Sequence, residues 1–128
     1  STRAVAAWCQ NQPEFTQVLH PALPGSPGHA NWRSLCTTDG AACLFSVVLD
    51  ARFSQAQVDT FVDALRLFRL AYSWAGPISL VVPYDLARSR GRWPAQVARG
   101  TVVRFAVGLE DPQDLQADIA QALALLRT

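Results

Sequence analysis

The chain has 128 residues, of which 50% are hydrophobic and 16% charged, and its formal net charge is +1. This composition predicts one compact domain over residues 1–128 and excludes a disordered chain or a small disulfide-framed protein. A near-neutral charge lacks the surplus of cations that non-specific binding to nucleic acid requires. All basic residues are arginines, so no mechanism that uses a lysine amine can operate on this chain alone.

The cysteine count and the hydropathy pattern indicate the cellular compartment of the protein. Cys9, Cys36 and Cys43 show neither CxxC spacing nor the spacing of a Cys/His metal site, which predicts reduced thiols. No apolar run approaches the roughly 20 residues of a membrane span, and the N-terminus lacks a signal-peptide pattern. We therefore expect a cytoplasmic protein without membrane or nucleic-acid partners. The absence of methionine predicts that Ser1 is not the natural start.

The first half of the chain predicts a helix and two strands. Residues 3–12 have helical periodicity, and residues 15–19 form a short strand candidate. Residues 20–29 hold three prolines and two glycines and must form a loop. The continuous apolar run from Leu44 to Leu49 predicts a buried strand.

The next segment begins with a strong helix signal. Ser54 and Gln57 have the spacing of a capping box, and apolar residues follow at helical spacing through Leu65. Residues 70–74 form a strand candidate that ends at an Ala-Gly-Pro turn, and residues 79–82 are a short apolar run of undetermined type. Residues 83–100 predict an exposed excursion.

In the C-terminal segment, the two faces of a predicted strand alternate in character, and a predicted helix follows. Between Thr101 and Leu109, one face carries large apolar residues and the other carries Arg104 among small residues. Asp111 as N-cap and Pro112 at the first position open a final helix. Together the elements predict an α+β fold: a small, mainly antiparallel sheet of about four strands with helices packed on one face.

Arg104 is the foremost candidate for a functional residue. It is a single charge in the middle of an apolar strand, and its neighbours Ala106 and Gly108 leave room beside it. A guanidinium there can present two parallel donors to a carboxylate, which lysine cannot do. Two alternatives stay open from the sequence: an arginine on an edge strand in solvent, or an internal ion pair.

The remaining candidates are weaker. Ser73 and Trp74 lie at a predicted strand end before a turn, where side chains often reach a site, although a core tryptophan is an equal alternative. His20 and His29 lack a third ligand, so no metal is expected. Arg88, Arg90 and Arg92 form the basic cluster of the predicted excursion, and a solvated loop explains it better than a nucleic-acid contact. No self-contained catalytic set is present.

Several linked motifs, in order, resemble the carboxy-terminal domain of the pyridoxal-phosphate enzymes of cysteine and methionine metabolism. They cover nearly the whole chain: His20 to His29, Leu44 to Leu49, Phe61 to Phe68, Ala71 to Gly76 and Arg104 to Leu115. Within the family, Tyr-Ser-Trp at 72–74 is similar to bacterial cystathionine β-lyases, whereas the γ-synthases and γ-lyases usually carry Ser-Leu-Gly-Gly there. Ile78 stands where the family usually has an acidic residue, and the arginine-rich excursion also departs from the family pattern.

The resemblance implies a function for a longer protein. In the family this small domain packs on a large domain that holds the Schiff-base lysine and the pyridoxal 5′-phosphate, and the full-length enzyme is a homotetramer. It further implies that Arg104 binds the α-carboxylate of an amino-acid substrate, with Ser73 and Trp74 completing that pocket. The reaction implied is β-elimination of cystathionine to homocysteine, pyruvate and ammonia. The chain alone would then carry no catalytic or cofactor-binding residue and be inactive.

Two alternative functions remain. One is another enzyme of the same family, of the cystathionine γ-synthase or γ-lyase type. The other is a stand-alone binding domain without a catalytic half.

Overall fold

The computed structural model describes residues 1–36, 40–86, 88 and 91–127. Within these ranges the elements follow in this order: α1 (Thr2–Cys9), β1 (Phe15–Leu19), α2 (His29–Leu35), β2 (Leu44–Asp50), α3 (Gln55–Ala64), β3 (Arg69–Leu70), β4 (Leu80–Tyr84), β5 (Gly100–Ala106), α4 (Pro112–Ala124) and a final 3-10 turn (Leu125–Arg127). No helix of the described ranges is long and apolar enough to cross a membrane.

Helix starts follow the local sequence signals. The Ser54 hydroxyl accepts a hydrogen bond from the Gln57 backbone N–H at 3.2 Å, and the Gln57 side chain accepts one from the Ser54 N–H at 2.8 Å. The predicted capping box is therefore confirmed. At the start of α4 the Asp111 carboxylate accepts from the Gln113 N–H at 2.7 Å, and Pro112 occupies the first turn, where a missing N–H costs nothing.

The strands form one mixed sheet in the order β1-β2-β5-β4-β3. Three neighbouring pairs are antiparallel, and the two-residue β3 pairs in parallel with β4. The α+β class is confirmed, but the prediction of about four mainly antiparallel strands is wrong. The sheet has a fifth, parallel strand because the chain leaves β3 at Leu70 and returns to start β4 alongside it.

Two predicted strand boundaries are also wrong. The strand candidate at 70–74 ends at Leu70, because the carbonyls of Tyr72 and Ser73 accept hydrogen bonds from a side chain instead of a neighbouring strand. The last strand ends at Ala106 rather than Leu109. Its two neighbours, β2 and β4, both begin opposite Ala106, so in the described part of the chain the strand pairs end there, although the Val107 N–H still donates to the Cys43 carbonyl at 2.8 Å. Leu109, expected on the buried face, is 85% exposed.

The main core lies between one face of the sheet and helices α1, α3 and α4. Phe45, Val47, Val103 and Phe105 project from the central strands into this core, where Phe105 is fully buried. Leu115, Ile119 and Leu123 of α4 belong to the same cluster, and Leu126 of the final 3-10 turn joins them.

The opposite face of the sheet carries Arg104. Because side chains alternate along a strand, the cross-strand partners of Arg104, which are Ser46 on β2 and Val82 on β4, share its face. Val82, Val102 and Ala106 on this face are buried, although they lie outside the main core cluster. The connection between β3 and β4, residues 71–79, runs back over this face.

Candidate functional site

Arg104 lies in the middle of a central strand and is half-buried. Its Nη2 donates hydrogen bonds to the carbonyl oxygens of Tyr72, at 2.8 Å, and Ser73, at 3.1 Å. Since β5 pairs on both sides, with β2 and with β4, the alternative of an edge-strand arginine is excluded. The loop 71–79 therefore approaches the guanidinium through its backbone.

Two aromatic rings flank the guanidinium. The Arg104 Cζ is 5.4 Å from the centroid of the Trp74 ring and 6.0 Å from that of Tyr84, which are distances typical of cation–π contacts. Trp74 is 56% exposed, so it is not a core tryptophan. The structure thus brings Arg104, Ser73 and Trp74 together, with Ser73 contributing its carbonyl oxygen to the contact.

The charge of Arg104 is not balanced by an acidic side chain within the described part of the chain. Among the residues that the structure describes, the recorded ion pair joins Arg127 to Glu14, and no carboxylate pairs with Arg104. Its Nε is buried and has no hydrogen-bond partner within the described ranges. A buried N–H donor on a cation is costly to leave unpaired, and an anion is the partner that satisfies both the donor and the charge. This geometry fits a small carboxylate.

One nitrogen of the Arg104 guanidinium, Nη2, already donates hydrogen bonds to the loop. Nη2 belongs to both edges that can make a two-point bond, one shared with Nε and the other with Nη1. Both recorded hydrogen bonds start from Nη2. A carboxylate that takes a two-point bond must therefore share Nη2 with a loop carbonyl or displace it, so binding at Arg104 involves the loop at Tyr72 and Ser73.

The far end of the loop is held by a carboxylate. Glu110 accepts hydrogen bonds from Ser79, from its backbone N–H at 2.9 Å and from its hydroxyl at 2.7 Å. Burial alone would raise the pKa of Glu110, but the hydrogen bonds from the Ser79 N–H, the Ser79 hydroxyl and the backbone N–H of Glu110 itself together hold the pKa below its usual range. Glu110 and Ser79 are 31 residues apart, and no sequence spacing links them.

Tyr84 and the Glu110–Ser79 contact were not predicted as site features. Glu110 lies inside the motif from Arg104 to Leu115 that carries the family resemblance, which is the one sequence signal that marks it. Ile78, where the family usually has an acidic residue, is half-exposed on the same loop.

The histidines have local structural roles. His20 is buried, and its Nδ1 accepts a hydrogen bond from the Ala22 N–H at 3.1 Å. His29 donates from Nδ1 to the Pro21 carbonyl at 2.8 Å and stacks on Trp32. In the part of the chain that the structure describes, no three metal-binding side chains cluster.

The arginine-rich excursion folds back on β1. Arg88 and Arg92 are exposed, and Arg90 lies outside the described residues. The Gln17 side chain donates to the Gln96 carbonyl at 2.9 Å and accepts from the Ala98 N–H at 2.8 Å. These contacts fasten the end of the excursion near the sheet edge.

The comparisons with known proteins agree with a helix-backed α+β domain. A family model described as Cys/Met metabolism PLP-dependent enzyme matches residues 1–124. The chain belongs to this family, as the sequence motifs predicted.

Three relatives show the range of reactions in the family. The cystathionine β-lyase of Salmonella typhimurium is 41% identical over 127 residues, covering 97% of this chain and 31% of that protein. The L-alanine/L-glutamate racemase of Wolbachia pipientis is 37% identical over 123 residues, covering 95% of this chain and 30% of that protein. A solved structure, cystathionine gamma synthase from Xanthomonas oryzae pv. oryzae in complex with aminoacrylate and cysteine, has a TM-score of 0.78 and 27% identity over 98% of this chain and 33% of its own.

The chain spans about a third of the length of these relatives, and this bears on the cofactor. Pyridoxal phosphate is implied by the family, and a Schiff base to it requires a lysine amine. The 128 residues contain no lysine. The side chains of this chain therefore do not fit the cofactor as its covalent partner.

Proposed function

We propose that this chain is the substrate-carboxylate-binding domain of a carbon–sulfur lyase of the cystathionine β-lyase type. The single observation that supports this most is Arg104: a half-buried guanidinium with a buried, unpaired Nε–H and no carboxylate partner among the described residues. Such a group is suited to the α-carboxylate of an amino acid. The resemblance at residues 72–74 and the β-lyase relative favour this class.

In the proposed site each residue has a separate role. Arg104 binds the α-carboxylate in a two-point contact through Nη2 and a second nitrogen. Ser73 and Trp74 complete the pocket, with the Trp74 ring flanking the guanidinium. The Tyr72 and Ser73 carbonyls, which accept hydrogen bonds from Nη2, yield to the carboxylate.

Fixing the carboxylate contributes orientation. A substrate held at two points cannot rotate about its carboxylate, so the bonds at its α-carbon keep one direction relative to groups elsewhere in the enzyme. The proposed reaction is β-elimination of cystathionine to homocysteine, pyruvate and ammonia. The cofactor and its lysine belong to a larger domain outside this chain, the full enzyme is a homotetramer in the cytoplasm, and this chain alone is inactive.

The test is the substitution Arg104→Lys in the full-length enzyme. Lysine keeps the charge and loses the planar fork, so the specificity constant for cystathionine should fall by about 10- to 100-fold, which corresponds to about 1.5–3 kcal/mol. Arg66→Lys is the matched control, since Arg66 is exposed beside α4. Unchanged catalytic efficiency in Arg104→Lys would show that the carboxylate is held elsewhere.

A γ-type enzyme is the second candidate, and the solved γ-synthase with its TM-score of 0.78 is the observation that favours it. Product analysis separates the two, because β-elimination of cystathionine yields homocysteine, pyruvate and ammonia, whereas γ-elimination yields cysteine, 2-oxobutyrate and ammonia. A γ-synthase would instead form cystathionine from cysteine and an activated homoserine. A stand-alone binding domain is distinguished by the coding region: an upstream in-frame segment with a cofactor lysine supports the enzyme.

A further inference from the structure

The loop 71–79 is anchored at its C-terminal end by a cluster that we name the Glu110 latch, formed by Glu110, Ser79 and Gly108. Ser79 is fully buried and donates to both carboxylate oxygens of Glu110, through its N–H to Oε2 at 2.9 Å and its hydroxyl to Oε1 at 2.7 Å. The same hydroxyl accepts a hydrogen bond from the Gly108 N–H at 2.9 Å. The latch thus uses both polar groups of Ser79 that could otherwise be left unpaired on burial.

Gly108 allows the loop to approach this closely. A Cβ at position 108 would lie 2.3 Å from the Pro77 backbone carbonyl oxygen, an impossible contact, and 2.8 Å from Oε1 of Glu110, so the Glu110 side chain would also have to shift. The Leu109 N–H donates to the Pro77 carbonyl at 2.9 Å, so Pro77 is also bound to the segment after β5. Only glycine fits between this segment and the loop.

The latch and the guanidinium are attached to the same strand. Arg104 lies within β5, and Gly108 and Glu110 follow its end. From Trp74 to Ser79 the chain can extend at most about 17 Å, while Arg104 to Gly108 covers about 13 Å. With so little slack, the position of Ser79 restricts where Trp74 and Ser73 can lie relative to Arg104.

We propose that Glu110 is a positioning residue for the Arg104 site: by fixing Ser79 to the end of β5, it holds the Ser73–Trp74 segment against the guanidinium. The proposal rests on the proposed function of Arg104 in carboxylate binding. Glu110 touches neither Arg104 nor, in this scheme, the substrate, and it acts through the loop.

The experiment measures how well the full-length enzyme distinguishes an amino-acid substrate from its α-carboxamide. The amide also changes the acidity of the α C–H bond and of the amine, but this intrinsic difference is the same for every variant. The change in the ratio of the two specificity constants from parent to variant therefore reports on the carboxylate contact. Glu110→Gln keeps the shape but cannot accept from both donors of Ser79, because its amide nitrogen is a donor. We expect the acid-to-amide ratio to fall about tenfold in Glu110→Gln.

Two further variants accompany it. Ser79→Ala removes the hydroxyl of the latch from the loop side and should lower the ratio in the same direction. Asp114→Asn is the matched control, because it removes one exposed carboxylate from the first turn of α4 and should leave the ratio unchanged.

The outcomes separate this proposal from the function on which it rests. If Arg104→Lys lowers the ratio and both latch variants leave it unchanged, the positioning proposal is overturned while carboxylate binding by Arg104 stands. If the latch only stabilises the fold, the latch variants should lower the specificity constants for the acid and for the amide by the same factor. This result also overturns the proposal. If Arg104→Lys itself leaves the ratio unchanged, the proposed function fails and the inference fails with it.

Hydrogen exchange followed by mass spectrometry gives a readout that needs no activity. In full-length Glu110→Gln, peptides covering residues 71–80 should exchange faster than in the parent enzyme, while peptides from α3 and α4 should exchange at the same rate. Unchanged exchange over residues 71–80 would show that Glu110 does not hold the loop.

Discussion

The two faces of the sheet differ in what their neighbouring side chains contact. Phe105 lies fully buried between aromatic rings, 5.2 Å from that of Phe45 and 4.9 Å from that of Phe68. Arg104, the residue before it, lies on the other face under a loop, and its buried Nε–H has no hydrogen-bond partner within the described residues. Alternation along β5 thus separates stability from the proposed binding function within one strand, so adjacent substitutions should have separable effects.

The largest expected effect is on the helix-covered face. Phe105→Ala removes a buried ring that stacks on one neighbour and meets another edge-on, and it leaves a cavity that the helices cannot close. The free energy of unfolding should fall by about 3–5 kcal/mol, as measured by chemical denaturation. A loss below about 1 kcal/mol would contradict the separation of the two faces.

Asp118 offers a second test on the helix side. Its buried carboxylate accepts hydrogen bonds from the backbone N–H groups of Arg66, at 2.8 Å, Leu67, at 2.8 Å, and Phe68, at 3.2 Å. Asp118→Ala leaves these donors without their acceptor and should cost about 2–3 kcal/mol of unfolding free energy. Asp118→Asn retains one oxygen and should lose less. Equal losses in the two variants would show that the one retained oxygen does not satisfy these donors.

On the Arg104 face we expect an effect on catalysis with little effect on stability. Trp74→Phe in the full-length enzyme keeps an aromatic ring but weakens its attraction to the guanidinium, by about 0.5–1 kcal/mol. The specificity constant for cystathionine should fall only a few-fold, less than in Arg104→Lys. Because Trp74 is more than half exposed, the melting temperature should be nearly unchanged. A large drop in melting temperature would show that Trp74 packs as a core residue.

The parts of the fold that the sequence predicted are those with local determinants. Helix α3 begins at its capping box and α4 at Asp111-Pro112, and β1 covers the predicted residues 15–19. The errors concern pairings between distant residues. Residues 70–74 are apolar enough for a strand, but the carbonyls of Tyr72 and Ser73 bind a side chain on a strand some 30 residues later. No local pattern encodes such a choice.

The residues of the candidate site also fall into those that the sequence could predict and those that it could not. Arg104 was predictable because a lone charge in an apolar strand is costly without a partner. Trp74 was placed near it only through the family resemblance. Ser79 comes just before β4 and Glu110 comes after β5, so both strands separate the two residues along the chain. Their contact became visible only once the sheet order was known.

The smallest expected effect tests whether backbone strain lies on the Arg104 side. Among the non-glycine residues of the described ranges, Ala75 has a positive φ, of 62°, in the loop that covers Arg104. A left-handed conformation costs an L-residue about 1–2 kcal/mol in the folded state, and glycine avoids this cost. Glycine also stabilises the unfolded chain by about 0.5–1 kcal/mol, because it has more backbone entropy there.

Ala75→Gly should therefore raise the free energy of unfolding by up to about 1 kcal/mol. Ala71→Gly is the matched control, because Ala71 has no positive φ and its N–H is bonded to the Val81 carbonyl at 3.3 Å. At residue 71 the change to glycine relieves no backbone strain, so it should lower the free energy of unfolding by about 0.5–1 kcal/mol. Opposite signs in denaturation experiments would place the strain at Ala75. If both variants are destabilised equally, Ala75 is not left-handed in solution, and the loop must approach Arg104 by another backbone path.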